Sequence, residues 1–173
     1  MAQGDANLIE ALKKINPFQP YGTELFDALA RITVSIAIET VSLRFNNATN
    51  KLEVYMVQRS LIDTAYPGEW HSPGSVMRPG ESVEDVLDRL AKREFCNPFI
   101  SIQFVGVINP SKKSPEVRGH FVGLAYLCVF KETNALRGKW FPVDELPEKT
   151  VIHHQKRIIP VAVGSFLANT YPY

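Results

Sequence analysis

The amino-acid sequence predicts one α+β domain built on a mixed sheet, and three observations carry that reading. Ile32, Val34, Ile36 and Ile38 occupy alternate positions, the pattern of a strand with one buried face. Val83, Val86, Leu87, Leu90 and Ala91 repeat at helical spacing behind Ser82, a helix-capping residue type. Residues 119–130 form an apolar run too rich in β-branched and aromatic side chains for a helix, and a helical stretch within 151–169 closes the chain. Strands, a central helix, more strands and a final helix suit a layered α+β sandwich.

Each element has its own local signal. Leu8 to Ile15 carry a short amphipathic pattern that Asn16-Pro17 ends, and Thr23 to Ala30 predict a second helix. After Ile38 the apolar phase switches to Val41, Leu43 and Phe45, which predicts a bulge or a change of buried face near Glu39-Thr40. Asn46 to Asn50 form a turn, and Leu52, Val54 and Met56 begin the partner strand of a hairpin. Residues 60–73 are rich in turn formers and lead into the central helix. Ser82 and Asp85 have the spacing of a capping box, and Asn97-Pro98 stops the helix. Residues 100–108 read as a strand, 109–117 as a polar loop, and 140–147 as a strand edge with a turn.

Length and composition narrow the class. A chain of 173 residues holds one domain with a proper core. A formal net charge of +1 and 45% hydrophobic residues fit an ordinary globular protein and give no broad basic excess for nucleic acid. No apolar run has the length of a membrane span, and the first residues lack a signal-peptide pattern. Cys96 and Cys128 each fall inside a predicted element, which suits reduced core thiols of a cytoplasmic protein.

Several side chains invite a chemical reading, each beside a plainer one. Glu94 lies one turn beyond the apolar stripe, where a carboxylate needs a cation or a salt bridge to Arg or Lys. Arg93 suits bidentate phosphate binding or an exposed helix ion pair. Arg118 suits a phosphate contact, and His120 a ligand contact or a strand-start role. Tyr66, Trp70 and Phe141 suit base stacking or core packing. Glu116, Glu145 and Glu148 read as solvated loop charges that could supply a distant base. His153 and His154 are adjacent, so their side chains are expected to diverge.

The segment Trp70 to Glu81 and the helix after it resemble a Nudix box, G-x5-E-x7-R-E-U-x-E-E-x-G-U with U aliphatic. Glu81 and Arg89 stand at the required separation, while Ser75 occupies the first glycine position and Cys96 the later one. The three helix carboxylate positions hold Leu90, Arg93 and Glu94. Val117 to Leu127 is similar to the Arg-Gly-His-strand segment of Nudix proteins that act on ADP-ribose-like dinucleotides. Trp140 to Pro147, with His153-His154 and the helix that follows, resembles the end of those domains.

The resemblance implies an α/β/α sandwich with a central mixed sheet over residues 31–173, preceded by a helical extension over 1–30. It implies a pyrophosphohydrolase dependent on Mg²⁺ or Mn²⁺, acting on a nucleoside diphosphate linked to another moiety. Glu94 would be a catalytic residue and metal ligand, and the Ser75 carbonyl a second metal contact. Glu81 and Arg89 would brace the catalytic loop, and Arg118, Arg93 and His120 would bind substrate. By analogy the domain could form a homodimer, while composition and hydropathy predict no nucleic-acid or membrane partner. The altered box argues for the alternative, a catalytically silent nucleotide-binding or regulatory module that needs no metal. Replacing three carboxylates by Leu, Arg and Glu moves the local charge from −3 to 0. One unit charge facing a divalent ion at about 4 Å is worth roughly 8 kcal/mol at an effective dielectric of 20.

Overall fold

A computed structural model describes residues 3–110, 116–133 and 136–170. Two helices, α1 (Gln3–Lys13) and α2 (Thr23–Ala30), precede the first strand, β1 (Val34–Val41). Then follow β2 (Leu43–Asn46), β3 (Lys51–Gln58), β4 (Trp70–His71), β5 (Gly74–Val76) and α3 (Val83–Leu90). The second half holds β6 (Phe99–Ile108), β7 (His120–Phe130), β8 (Lys139–Pro142) and α4 (Ile159–Thr170).

The first sheet has the order β5-β1-β7-β6, with β1 and β7 parallel and the outer pairs antiparallel. The second sheet centres on β3, which pairs antiparallel with β2, β4 and β8. Helices α3 and α4 lie on opposite faces of the first sheet. Val86, Leu87 and Leu90 pack on Ile38 and Cys128, whereas Ile159 and Ala162 pack with Val41, Ala125 and Leu127. This is the expected α/β/α sandwich with a mixed central sheet. No helix among the described residues is long and apolar enough to cross a membrane.

Helix α3 starts where its capping box requires. The Asp85 amide donates to Ser82 Oγ at 3.1 Å, and the Ser82 amide donates to Asp85 Oδ2 at 2.8 Å. From Ala91 to Phe95 it widens into a π-helical turn and stops at Cys96, which adopts a left-handed conformation with φ of 56°. The family pattern has glycine there, the residue that takes this conformation without a Cβ penalty. Cys96 is therefore an exposed helix terminus and not a core thiol, while Cys128 is buried as expected.

In β1 a change of buried face, and not a bulge, accounts for the phase switch, and one expectation is corrected. The strand runs in unbroken parallel register with β7 from Val34 to Val41, so Glu39-Thr40 carries no bulge. The apolar phase switches because both faces are covered at this end of the strand, and at Ser42 the chain passes to the second sheet. The Ser42 carbonyl accepts the Tyr55 amide, and Ser42 Oγ donates to the Cys128 carbonyl at 2.6 Å. The start of the strand does not bury one face either. Val34 is 63% exposed and Ile36 47%, because α3 reaches only as far as Ile38.

Candidate functional site

The loop before α3 is built around Arg89. Its Nε donates to Glu81 Oε1 at 2.9 Å and its Nη2 to Glu81 Oε2 at 2.7 Å. The same guanidinium reaches Ser75 Oγ through Nη1 at 2.6 Å and the Val76 carbonyl through Nη2 at 3.3 Å. Glu81 also accepts the Arg78 amide at 2.8 Å. Desolvation opposes its charge, but the Arg89 and Arg78 hydrogen bonds outweigh it and hold the carboxyl below its ordinary value. The two box residues thus brace the loop, and Ser75 joins the brace through its side chain.

The helix positions that resemble metal ligands point elsewhere. Leu90 lies in the core between α3 and the first sheet, only 3% exposed. Arg93 is exposed, and its carbonyl accepts Arg137 Nη1 at 3.0 Å. Glu94 Oε2 lies 3.8 Å from Arg137 Nε, the salt bridge that the plainer reading of this residue expects. The Tyr55 hydroxyl holds the Glu94 carbonyl at 3.1 Å. Among the described residues, no group of three or more His, Cys, Asp or Glu is placed to hold a metal ion. One carboxylate already paired with an arginine is a poor fit to Mg²⁺, which takes hard oxygen ligands in near-octahedral geometry.

A cleft of about 560 Å³ opens between the two sheets instead. Ala37 and Glu39 of β1, with Phe121 and Gly123 of β7, line its floor. Residues 74–78, Arg59, Asp63, His71, His153, His154 and Arg157 form the walls. Gln19, Pro20 and Tyr21, with Phe26, Asp27, Leu29 and Ala30 of α2, form the roof. The N-terminal extension is thus part of the cleft, and Phe26 lies 6.4 Å from Phe121 between ring centroids.

Arg118 and Glu116 organise the far wall. Arg118 Nε donates to Glu116 Oε1 at 2.8 Å, and its Nη2 donates to Oε2 at 3.0 Å. Its guanidinium carbon lies 5.3 Å from the Phe121 ring centroid and 5.7 Å from that of Tyr66. The Tyr66 hydroxyl donates to Glu116 Oε1 at 3.1 Å, and His153 Nε2 lies 3.5 Å from Glu116 Oε2. Desolvation opposes the charge on Glu116, yet the Arg118 hydrogen bonds hold its carboxyl below the ordinary value. Glu116 is a structural counter-ion here, and not the solvated loop charge expected from its surroundings in sequence.

Three buried imidazoles flank this pair. His154 stands 4.5 Å from His153 and 5.6 Å from His71 between ring centroids, so the adjacent histidines do not diverge as expected. Burial is the largest cause that pushes His71 down to about 3 and His153 to about 4, and it carries His154 well below its ordinary value. All three are neutral at pH 7. Asp27 Oδ1, Glu39 Oε2, Arg59 Nε, His153 Nδ1, His154 Nδ1 and Arg157 Nε are shielded from solvent and have no hydrogen-bond partner among the described residues. Each of the six belongs to a residue that lines the cleft. Burying polar groups without partners is costly, so such a concentration calls for a ligand or ordered water.

Of the residues singled out from the sequence, the cleft gathers Ser75, Glu116, Arg118, His153 and His154, and Glu81 and Arg89 support its rim from behind. Glu94 and Arg93 do not line it, and neither does His120, which is exposed at the start of β7. Trp70 and Phe141 pack edge to face at 4.8 Å in the core. Tyr66 is buried as well. Sequence reasoning missed Glu39, Arg59, His71, Arg157 and the roof. Only Glu39 left a clear signal, an acidic residue in an otherwise apolar strand.

Comparison with known proteins supports this architecture. The NUDIX domain profile matches residues 38–161, more than half of the chain. Among curated proteins no relative matches. A mutT/nudix family protein from Listeria innocua superposes with a TM-score of 0.61 at 18% identity, covering 79% of this chain and 96% of that one. The NUDIX domain of Shewanella oneidensis NrtR, solved with ADP ribose, gives a TM-score of 0.59 at 19% identity and covers 96% and 99%. NrtR solved with a 27mer DNA gives a TM-score of 0.59 at 18% identity, and the match spans 77% of this chain and 63% of the NrtR chain. With the profile match, the braced box loop and the shared sandwich in agreement, the chain belongs to the NUDIX family.

Proposed function

We propose that this chain binds a nucleoside diphosphate linked to a second moiety, with ADP-ribose the first compound to test, and binds it without box-helix metal chemistry. The observation that carries the reading is the ring of shielded, unpartnered polar atoms around an aromatic-roofed cleft. A volume of about 560 Å³ lies within the range of small-molecule sites. Tyr21, Phe26 and Phe121 offer faces on which a base can stack. Arg59, Arg78, Arg118 and Arg157 line the same space and supply positive charge for a diphosphate. That a related NUDIX domain was solved with ADP ribose favours the same ligand class here.

Leu90, Arg93 and Glu94 lie outside the cleft and favour binding over hydrolysis. Pyrophosphohydrolysis in this family rests on a divalent ion that neutralises the phosphates and helps to generate the attacking hydroxide. The side chains at the ligand positions are an apolar core residue, an exposed cation and a paired carboxylate.

Calorimetric titration with ADP-ribose, NAD and AMP, each in Mg²⁺ and in chelator, tests the reading. Saturable binding of the diphosphate compounds in chelator is the expected result. Absence of binding, or binding only with Mg²⁺, would contradict it.

A further inference from the structure

Glu39 is an acidic side chain on the cleft floor, and its surroundings are unusual for a carboxylate. It projects from the middle of β1 on the face that it shares with Val41, towards the space between the sheets. Two glycines clear a slot for it. A Cβ on Gly74 would fall on Glu39 Oε2, and one on Gly123 would come within 3.3 Å of Glu39 Cγ. The resulting pocket shields Oε2 from water, and among the described residues no hydrogen-bond partner reaches it.

The charged and titratable groups around it come from every neighbouring element. Arg59 and Asp63 belong to the loop after β3, and the Arg59 Nη2 proton is committed to Asp63 at 2.6 Å. Glu116 and Arg118 precede β7 and are committed to each other. His71 of β4, and His153 and His154 before α4, are neutral. Among the described residues no cation is paired with Glu39. An ionised carboxylate in this slot would also repel the diphosphate that the cleft is proposed to hold.

We infer that Glu39 anchors the ligand as a neutral carboxylic acid, donating its proton into a hydrogen bond with a non-bridging oxygen of the diphosphate. The inference rests on the nucleotide reading of the cleft. Burial, the largest influence, raises the Glu39 carboxyl from its ordinary value to about 8, against the pull of Arg118 and Arg59 and with the help of Glu116. Glu39 is therefore a donor at neutral pH. Its proton fills the role that a metal ion fills elsewhere, joining an acidic side chain to an anionic ligand without net repulsion.

The test compares the full-length wild type, Glu39→Gln and Glu39→Ala by calorimetric titration with ADP-ribose from pH 6.5 to 9.5, in chelator and in Mg²⁺. The Gln amide also donates, so Glu39→Gln should bind within about threefold of wild type at pH 7 and show no weakening with pH. Wild type should weaken about tenfold per pH unit above about 8. Glu39→Ala should weaken binding about tenfold or more throughout. Without ligand, the melting temperature of Glu39→Gln should gain on wild type as pH rises from 5 to 8. That reading reports the protonation of Glu39 whether or not a nucleotide binds. Loss of binding in Glu39→Gln equal to that in Glu39→Ala, or affinity that rises with pH and requires Mg²⁺, would overturn the inference in favour of an ionised, metal-bound Glu39. Wild-type binding indifferent to Glu39→Ala would overturn the anchor alone. No wild-type binding would overturn the nucleotide reading and the anchor with it.

Discussion

Glu94 faces Arg137, with Oε2 and Nε 3.8 Å apart, while Leu90 on the preceding turn is sealed in the core against Ile38 and Cys128. The π-helical turn from Ala91 to Phe95 separates them, and its extra residue changes the phase of every later position on the helix. In this arrangement α3 braces the cleft loop through Arg89 and packs Val86, Leu87 and Leu90 into the core.

Restoring the family's carboxylates should therefore fail to restore a family-type site. The variant Leu90→Glu with Arg93→Glu places one new carboxylate in the core and one on the surface. We expect it to lose about 3 kcal/mol of stability, nearly all from Leu90→Glu, and to gain no hydrolysis of ADP-ribose. Urea unfolding and product analysis check both parts. A stable variant that turns over substrate with Mg²⁺ would show that the helix can still present carboxylates to a ligand.

Arg118 has two roles that can be separated. Its Nε and Nη2 neutralise Glu116, and its guanidinium lines the ligand cleft. Arg118→Ala should weaken a diphosphate ligand by roughly 1.5–3 kcal/mol and also destabilise the fold by leaving a shielded carboxylate unpaired. Adding Glu116→Gln to the same chain should recover much of the stability and none of the affinity. Calorimetry and thermal unfolding of the four chains give the coupling. Affinity unchanged in Arg118→Ala would remove this arginine from the site.

The buried histidines make the protein sensitive to acid. The folded chain holds His71, His153 and His154 neutral, whereas the unfolded chain protonates them near the ordinary value of about 6.5. Their contribution to stability is complete above that value and is lost as pH falls below it. Glu39 has the opposite sign, contributing fully below its ordinary value and losing that contribution as pH rises through about 8. With three histidines set against one glutamate, unfolding between about pH 4.5 and 6.5 should take up as many as two protons. That corresponds to a slope of about 2.7 kcal/mol per pH unit. Urea midpoints across this interval test it, and a flat profile would show that the imidazoles are solvated.

Much of the fold was legible in the sequence because its signals are local. The Ser82–Asp85 capping box, the Asn46 turn and the apolar stripe of α3 all act within a few residues of chain. The box brace was legible too, because Glu81 and Arg89 are tied to a known spacing. The cleft was not, since its parts come from β1, the loop after β3, β7, the closing turn and the N-terminal roof. Glu39 disturbed the alternation of β1, and that disturbance read as a bulge or a change of buried face and not as part of a site. Glu116 looked solvated because its loop is polar, and only the fold brings Tyr66, Arg118 and His153 around it. Cys96 looked internal to a helix because nothing local announces a left-handed terminus when glycine is absent.

The central claim is that the cleft binds a nucleoside diphosphate compound without cleaving it. Phosphorus NMR of ADP-ribose, incubated for hours with stoichiometric protein and with Mg²⁺ or Mn²⁺ in turn, tests this most directly. The two diphosphate resonances should broaden or shift on binding, and their total intensity should persist. Conversion of those resonances into monophosphate signals of AMP and ribose 5-phosphate at the rate of a working pyrophosphohydrolase would contradict it.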